Sequence, residues 1–185
     1  MSQRHAKTLV LMFHPDVNRS RANKALSHAA AALEGVTVAD VRADYPDGRI
    51  DTDAEVERLL GAQRIVLQFP IQWYSTPPLL KAWQDVVLTR MFYMNYQNEG
   101  RLLEGRPLLV AATAGNKAST YAETGSNLCP LEALLSPLRV TAHRCGLAWA
   151  DPFLLYEANT LPTTALAEAA ADYATRLRTW IATAA

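Results

Sequence analysis

Residues 64–83, RIVLQFPIQWYSTPPLLKAW, constrain what this chain can fold into more than any other stretch. Ile65, Val66 and Leu67 form an apolar run too short for a helix and closed by Phe69-Pro70. That is the pattern of a strand buried on both faces, as in a parallel sheet covered by helices. The double proline sets where the next helix begins. A residue before proline is pushed away from helical dihedrals, so Pro77 falls just outside the helix and Pro78 is its first residue, where a missing N–H costs nothing. Ser75 or Thr76 stands in position to cap it. Ile71-Gln72-Trp73-Tyr74 then lies at the carboxyl end of a strand, where open α/β sheets place their ligands.

The remaining elements alternate in the same way. Thr8 to Phe13 reads as a first buried strand ended by His14-Pro15, and Ala22, Ala25, Leu26, Ala29 and Leu33 line one face of a helix that stops near Gly35. Val36 to Val41 is a second strand, Tyr45-Pro46-Asp47-Gly48 is turn chemistry, and a helix follows at about Asp53 to Leu60. Met91 to Gly100 mixes aromatic and amide residues without a clear period and reads as a loop or a short irregular excursion. Pro107 to Ala112 is another buried strand. Leu131 to His143 is helical in pattern despite Pro137, which should kink the helix or split it at Ser136. Leu147 to Tyr156 is the last strand, with a break at Asp151-Pro152, and Leu166, Ala170, Tyr173, Leu177 and Trp180 mark a closing amphipathic helix. Five strands alternating with helices imply a parallel doubly wound sheet with right-handed crossovers.

Residues 1–185 fit one domain with enough length to bury a substantial core. Eighteen basic and eighteen acidic residues balance, which leaves neither the basic excess that nucleic acid requires nor the acidic excess of a steered electron carrier. Cys129 and Cys145 form no CxxC pair or Cys/His cluster, so free core thiols are expected in place of zinc or a disulfide framework. No apolar run approaches the roughly 18–20 residues of a membrane span, and MSQRHAKT has no signal-peptide pattern. A reducing cytoplasm is the expected compartment.

Three loops converge on one sheet edge: His14 to Asn23, Pro70 to Thr76 and Thr113 to Asn127. In the first, Ser20 and Asn23 stand at a helix start, where hydroxyl, amide and free backbone N–H groups can meet an anion, helped by the helix dipole. The alternative is that they are ordinary helix caps. The loop has neither GxGxxG nor GxxxxGK[ST], which disfavours a dinucleotide fold and a nucleotide hydrolase. Trp73 and Tyr74 can wall a stacked ring, or else serve as core or dimer-contact aromatics. His14 is either a donor to a phosphate or ring oxygen or a satisfied strand-end histidine; His5 and His143 are given no role. There is no GxSxG elbow, no HExxH and no carboxylate pair at helical spacing. Hydrolysis is disfavoured, and a cofactor-driven reaction fits, because hydride transfer through a flavin needs placement more than a titrating side chain.

FPIQWYSTPPLLKAWQDVV, together with HPDVNRSRANKAL upstream and TAGN downstream, resembles the flavodoxin-like NAD(P)H:quinone oxidoreductases. Within them it looks closest to the ancillary flavoproteins of glutathione-gated potassium-efflux antiporters. The resemblance implies a flavodoxin-like three-layer α/β/α sandwich with a five-stranded parallel sheet in order 2-1-3-4-5. It also implies one FMN per subunit, a homodimer with shared sites, and two-electron transfer from NAD(P)H to a quinone. By position, His14 and Ser20, Arg21, Ala22 and Asn23 would hold the FMN phosphate. Ile71, Gln72, Trp73 and Tyr74 would line the isoalloxazine, and Thr113, Ala114, Gly115 and Asn116 would close the other side. No side chain is assigned a catalytic role; substrate contacts fall to Tyr93 and Tyr121, with Tyr96 as a further dimer-side or lid residue. The pattern departs from the family in keeping one glycine at Ala114-Gly115-Asn116 and in reading Thr89-Arg90-Met91-Phe92-Tyr93 where relatives often have glycine before an aromatic pair. Two other roles share this resemblance: a subunit docking on a potassium-efflux membrane protein, which would place the chain at the inner face of the membrane, and a one-electron flavodoxin carrier.

Overall fold

A computed structural model describes residues 8–183, so His5 lies outside the described residues. Strands β1 (Thr8–Met12), β2 (Val36–Asp40), β3 (Arg64–Pro70) and β4 (Pro107–Thr113) are joined by helices α1 (Arg21–Ala31), α2 (Val41–Asp44), α3 (Thr52–Leu60) and α4 (Pro78–Trp83). They are followed by α5 (Ser136–Arg144), β5 (Ala148–Trp149), β6 (Phe153–Leu155) and α6 (Thr163–Thr183). All pairings in the sheet are parallel, in the order β2-β1-β3-β4-β5, with β6 also on β4. This is the expected flavodoxin-like sandwich with its last strand in two pieces. β5 pairs with Pro107 and Leu108, β6 with Ala111 to Thr113, and Asp151-Pro152 fall in the gap.

The alternation along the central strands decides which helix layer each side chain meets. Ile65, Leu67, Phe69, Leu108 and Val110 pack with Val56 and Leu59 of α3, Leu80 and Trp83 of α4, and Leu138 of α5. Val66, Leu109 and Ala111 face the other way, against Leu26 and Ala30 of α1 and Tyr173 and Leu177 of α6. Both faces are therefore dry, as the unbroken apolar runs require. Asp51 caps α3 by accepting the Ala54 N–H at 3.0 Å. Gly48, at φ +77°, closes the Tyr45–Gly48 turn in a conformation an L side chain resists. Val41, read as strand, instead opens α2 because Asp40 caps that turn.

Three expectations need correction here. Neither Ser75 nor Thr76 caps α4: its N-cap is Pro77, with no side-chain hydrogen bond, and Pro78 at the first position removes one of the donors a cap would serve. The segment from Met91 begins inside a helix. The rod that starts as α4 widens into π turns at Gln84–Leu88 and Arg90–Met94, which bury Val87, Met91 and Phe92. Widened turns lack the ordinary helical period, so the pattern there resembles a loop. Cys145 is buried, with its thiol pushed up to about 11 by burial, whereas Cys129 sits half-buried in a loop outside the core. Among the described residues, no helix is long and apolar enough to cross a membrane and no cluster is suited to a metal ion.

Candidate functional site

Parallel register brings the carboxyl ends of β1, β3 and β4 together: Met12 pairs with Gln68 and Gln68 with Ala111. Beyond the strands, the Phe13 N–H donates to the Gln68 carbonyl and the Ile71 N–H to the Thr113 carbonyl, both at 2.8 Å. All three predicted loops leave this edge. The chain reverses direction here too, since β1 connects outward to β2 and β3 continues toward β4, which is the switch point where doubly wound sheets open a crevice.

The middle loop has an unusual backbone. Gln72 and Ser75 exchange backbone hydrogen bonds of 2.9 and 3.0 Å, which leaves Trp73 and Tyr74 as the two central residues of a tight turn. Both have positive φ, 46° and 63°. A turn of this kind ordinarily takes Asn-Gly, because a Cβ in the left-handed region costs roughly 1–2 kcal/mol. Trp73 is also 93% exposed and Tyr74 49%. Two large aromatics are thus held in strained backbone and presented to solvent, an arrangement that packing of this chain does not account for.

The first loop leads into a capped helix start. Asp16 caps a short 3-10 turn at Val17–Arg19, and Ser20 caps α1, its Oγ accepting the Asn23 N–H at 3.1 Å. The amides of Arg21 and Ala22 open the helix without intrahelical acceptors. His14 Nδ1 accepts the Asp16 N–H at 3.0 Å, so the neutral ring carries its proton on Nε2, as a donor must. Burial lowers the His14 pKa ahead of the opposing influence of Asp16. The Asn23 side chain, expected at the anion, is 1% exposed and turned inward, where Nδ2 donates to Thr113 Oγ1 at 2.9 Å. Its contribution to the cradle is the capped backbone.

The third loop is tied down by its neighbour. The Ala114 N–H donates to the Leu155 carbonyl, and the Ala114 and Asn116 carbonyls accept the N–H groups of Ala158 and Glu157. Gly115 is exposed, with only Asn159 Nδ2 near, 3.2 Å from where a Cβ would lie; Asn116, where the family pattern has a second glycine, is exposed as well. Farther along, Tyr121 packs at a tilt against Tyr156, ring centres 5.7 Å apart, while the Tyr74 hydroxyl lies 3.4 Å from Asn127 Oδ1. Burial raises the Tyr121 pKa, with smaller contributions from Tyr74, Tyr156 and Cys129. Tyr121 thus closes one corner of the site, and Tyr156 and Asn127 join it without a sequence signal of their own.

Tyr93 lies elsewhere, on the widened continuation of α4, exposed and with the Arg144 guanidinium 5.2 Å from its ring centre. A cleft of about 350 Å³ runs between this rod and α5, from Ser75 and Thr76 to Tyr93. Tyr96 is farther out and bonded to Glu104.

Fold and site define a flavodoxin-like protein, and the family model for that fold matches residues 6–177: the chain belongs to this family. It is 39% identical over 169 residues to the uncharacterized NAD(P)H oxidoreductase YdeQ of Bacillus subtilis (strain 168), covering 91% of this chain and 85% of that one. To the glutathione-regulated potassium-efflux system ancillary protein KefF of Salmonella typhi it is 41% identical over 173 residues, covering 93% and 96%. Among solved structures, general stress protein 14 of Treponema denticola in complex with FMN superposes with a TM-score of 0.83 at 32% identity, covering 97% of this chain and 99% of that one.

Proposed function

We propose that the chain is an FMN-dependent NAD(P)H:quinone oxidoreductase. The observation that carries this reading is the strained Trp73-Tyr74 turn, which shares one sheet edge with a helix N-terminus capped by Ser20. Two exposed aromatics and a capped helix N-terminus at one sheet edge match a ligand with a planar ring and a phosphate. His14, Ser20 and the amides of Arg21 and Ala22 would hold the phosphate. Ile71 to Tyr74 would line the ring, Thr113 to Asn116 would close its other side, and Tyr121 would meet the substrate. When bound, FMN supplies a two-electron relay that takes hydride from NAD(P)H and passes it to a quinone in alternating half-reactions. The protein's own contribution is placement: it orients the reactants and keeps water from the reacting face.

Val86, Tyr93, Met94 and Val140 are exposed apolar residues on the rod and α5, beside the 350 Å³ cleft. Together they support a second copy on this face, with Tyr93 reaching the other subunit's site. The 41% identity to KefF favours a further association, with a potassium-efflux membrane protein.

Purified chain loaded with FMN is expected to be yellow, to bleach on anaerobic addition of NADPH or NADH, and to regain colour with a quinone. A colourless chain that takes up no FMN overturns the reading. Affinity purification from cells followed by sedimentation tests the assembly. A dimer at twice the chain mass is expected, or a heavier complex where it carries an efflux protein, and a monomer rejects the shared site.

A further inference from the structure

Gln68 is a polar residue inside a buried strand: it is 0% exposed in the middle of the sheet, on the side facing α1. A buried amide is costly unless hydrogen-bonded, and an apolar side chain of similar length would bury there without leaving Oε1 unpaired. Its Nε2 donates to the Asn23 carbonyl at 3.0 Å and to Ser27 Oγ at 2.9 Å. The amide orientation is fixed, because a carbonyl can only accept. Ser27 Oγ in turn donates to Met12 Sδ at 3.1 Å.

These bonds form a buried path through every part of the site. Ser20 holds the Asn23 N–H, Gln68 holds the Asn23 carbonyl, Asn23 Nδ2 holds Thr113 Oγ1, and the Thr113 carbonyl accepts the Ile71 N–H that opens the aromatic turn. We infer that Gln68 is a positioning residue that fixes the separation between the anion cradle on α1 and the ring-facing loops after β3 and β4, so that phosphate and ring are engaged together. The inference rests on the flavin reading above and deepens it. Its physical content is preorganisation: when two subsites stand at the right spacing, the second contact forms without a further ordering cost.

The test compares FMN with riboflavin, which carries the same ring without the phosphate. For the wild-type chain, FMN binds more tightly by a factor that measures the cradle. In Gln68→Met, FMN affinity is expected to fall about tenfold or more while riboflavin affinity changes less than about threefold, so that factor collapses. A role in overall stability alone would move both ligands equally. Ser27→Ala, a mild substitution that deletes one acceptor of the same amide, should shift the ratio in the same direction by about threefold, and it decides the matter if Gln68→Met does not fold. Equal losses for both flavins, or a ratio unchanged in the variants while the wild-type chain binds FMN, overturn this inference alone. A wild-type chain that binds neither flavin overturns the flavin reading and this inference with it.

Discussion

Replacing Trp73 by Asn and Tyr74 by Gly is expected to raise the melting temperature of the flavin-free chain while lowering its FMN affinity by about a hundredfold. The two effects have separate physical origins. Stability rises because Asn and Gly accept the positive φ values, 46° and 63°, that the Gln72–Ser75 bridge imposes and that the aromatics occupy under strain. Relief of roughly 1–2 kcal/mol per residue, less what Asn still costs, leaves about 1.5–3 kcal/mol, which at roughly 2–4 °C per kcal/mol is a gain of about 3–12 °C in a chain of this size.

Affinity falls because the aromatics are the ring surface. If Trp73 alone covers about 100 Å² of apolar area, at ~25 cal/mol/Å² the loss is about 2.5 kcal/mol, and stacking geometry adds ~0.5–1.5 kcal/mol. Thermal unfolding of the apoprotein and fluorescence titration with FMN measure the two separately. A lower melting temperature would show that the turn is not strained. Unchanged FMN affinity would return Trp73 and Tyr74 to a role as dimer contacts.

Much of this architecture follows from local chemistry that a reader of the chain can see. Pro78 starts a helix, Pro137 divides the Leu131 to His143 segment into a 3-10 turn and α5, and Asp151-Pro152 interrupt the last strand, each at the predicted position. What stayed hidden depends on partners far away in the chain. Asn23 stands where a cap or a ligand would, and Thr113, 90 residues on, turns its side chain inward. Positive φ at Trp73 and Tyr74 could not be read for a different, local reason: propensity puts Asn and Gly in such turns, and here the Gln72–Ser75 bridge closes the turn around two aromatics. The widened rod hid its period, and Gln68 in RIVLQFP was the one legible irregularity left without an account.

Glu55→Ala is the substitution expected to damage the fold most. Glu55 lies four residues before Leu59 and so on the same face of α3, the buried one, where it is 0% exposed. Its Oε1 accepts the Tyr45 hydroxyl at 2.9 Å and its Oε2 the Trp83 indole N–H at 2.7 Å. The Arg58 guanidinium approaches Oε1 to 3.0 Å as an ion pair and reaches Asp44 at 2.8 Å. Burial, with the carboxylate next, raises the Tyr45 pKa well above its ordinary value and keeps that hydroxyl a donor.

Removing the carboxylate strands two buried donors and one side of Arg58, a loss of about 3–5 kcal/mol for breaking such a group. At roughly 2–4 °C per kcal/mol the melting temperature should fall by about 6–20 °C. Glu55→Gln keeps one acceptor and should fall less. The damage should reach the site as well, because Trp83 packs edge-on against Phe13 at 5.7 Å, and Phe13 carries β1 into His14. FMN titration well below the melting temperature of Glu55→Ala should therefore show weakened binding even while the chain is folded. A shift of under about 2 °C would mean that solvent replaces the lost acceptor, and that α3 is held to α4 by apolar packing alone.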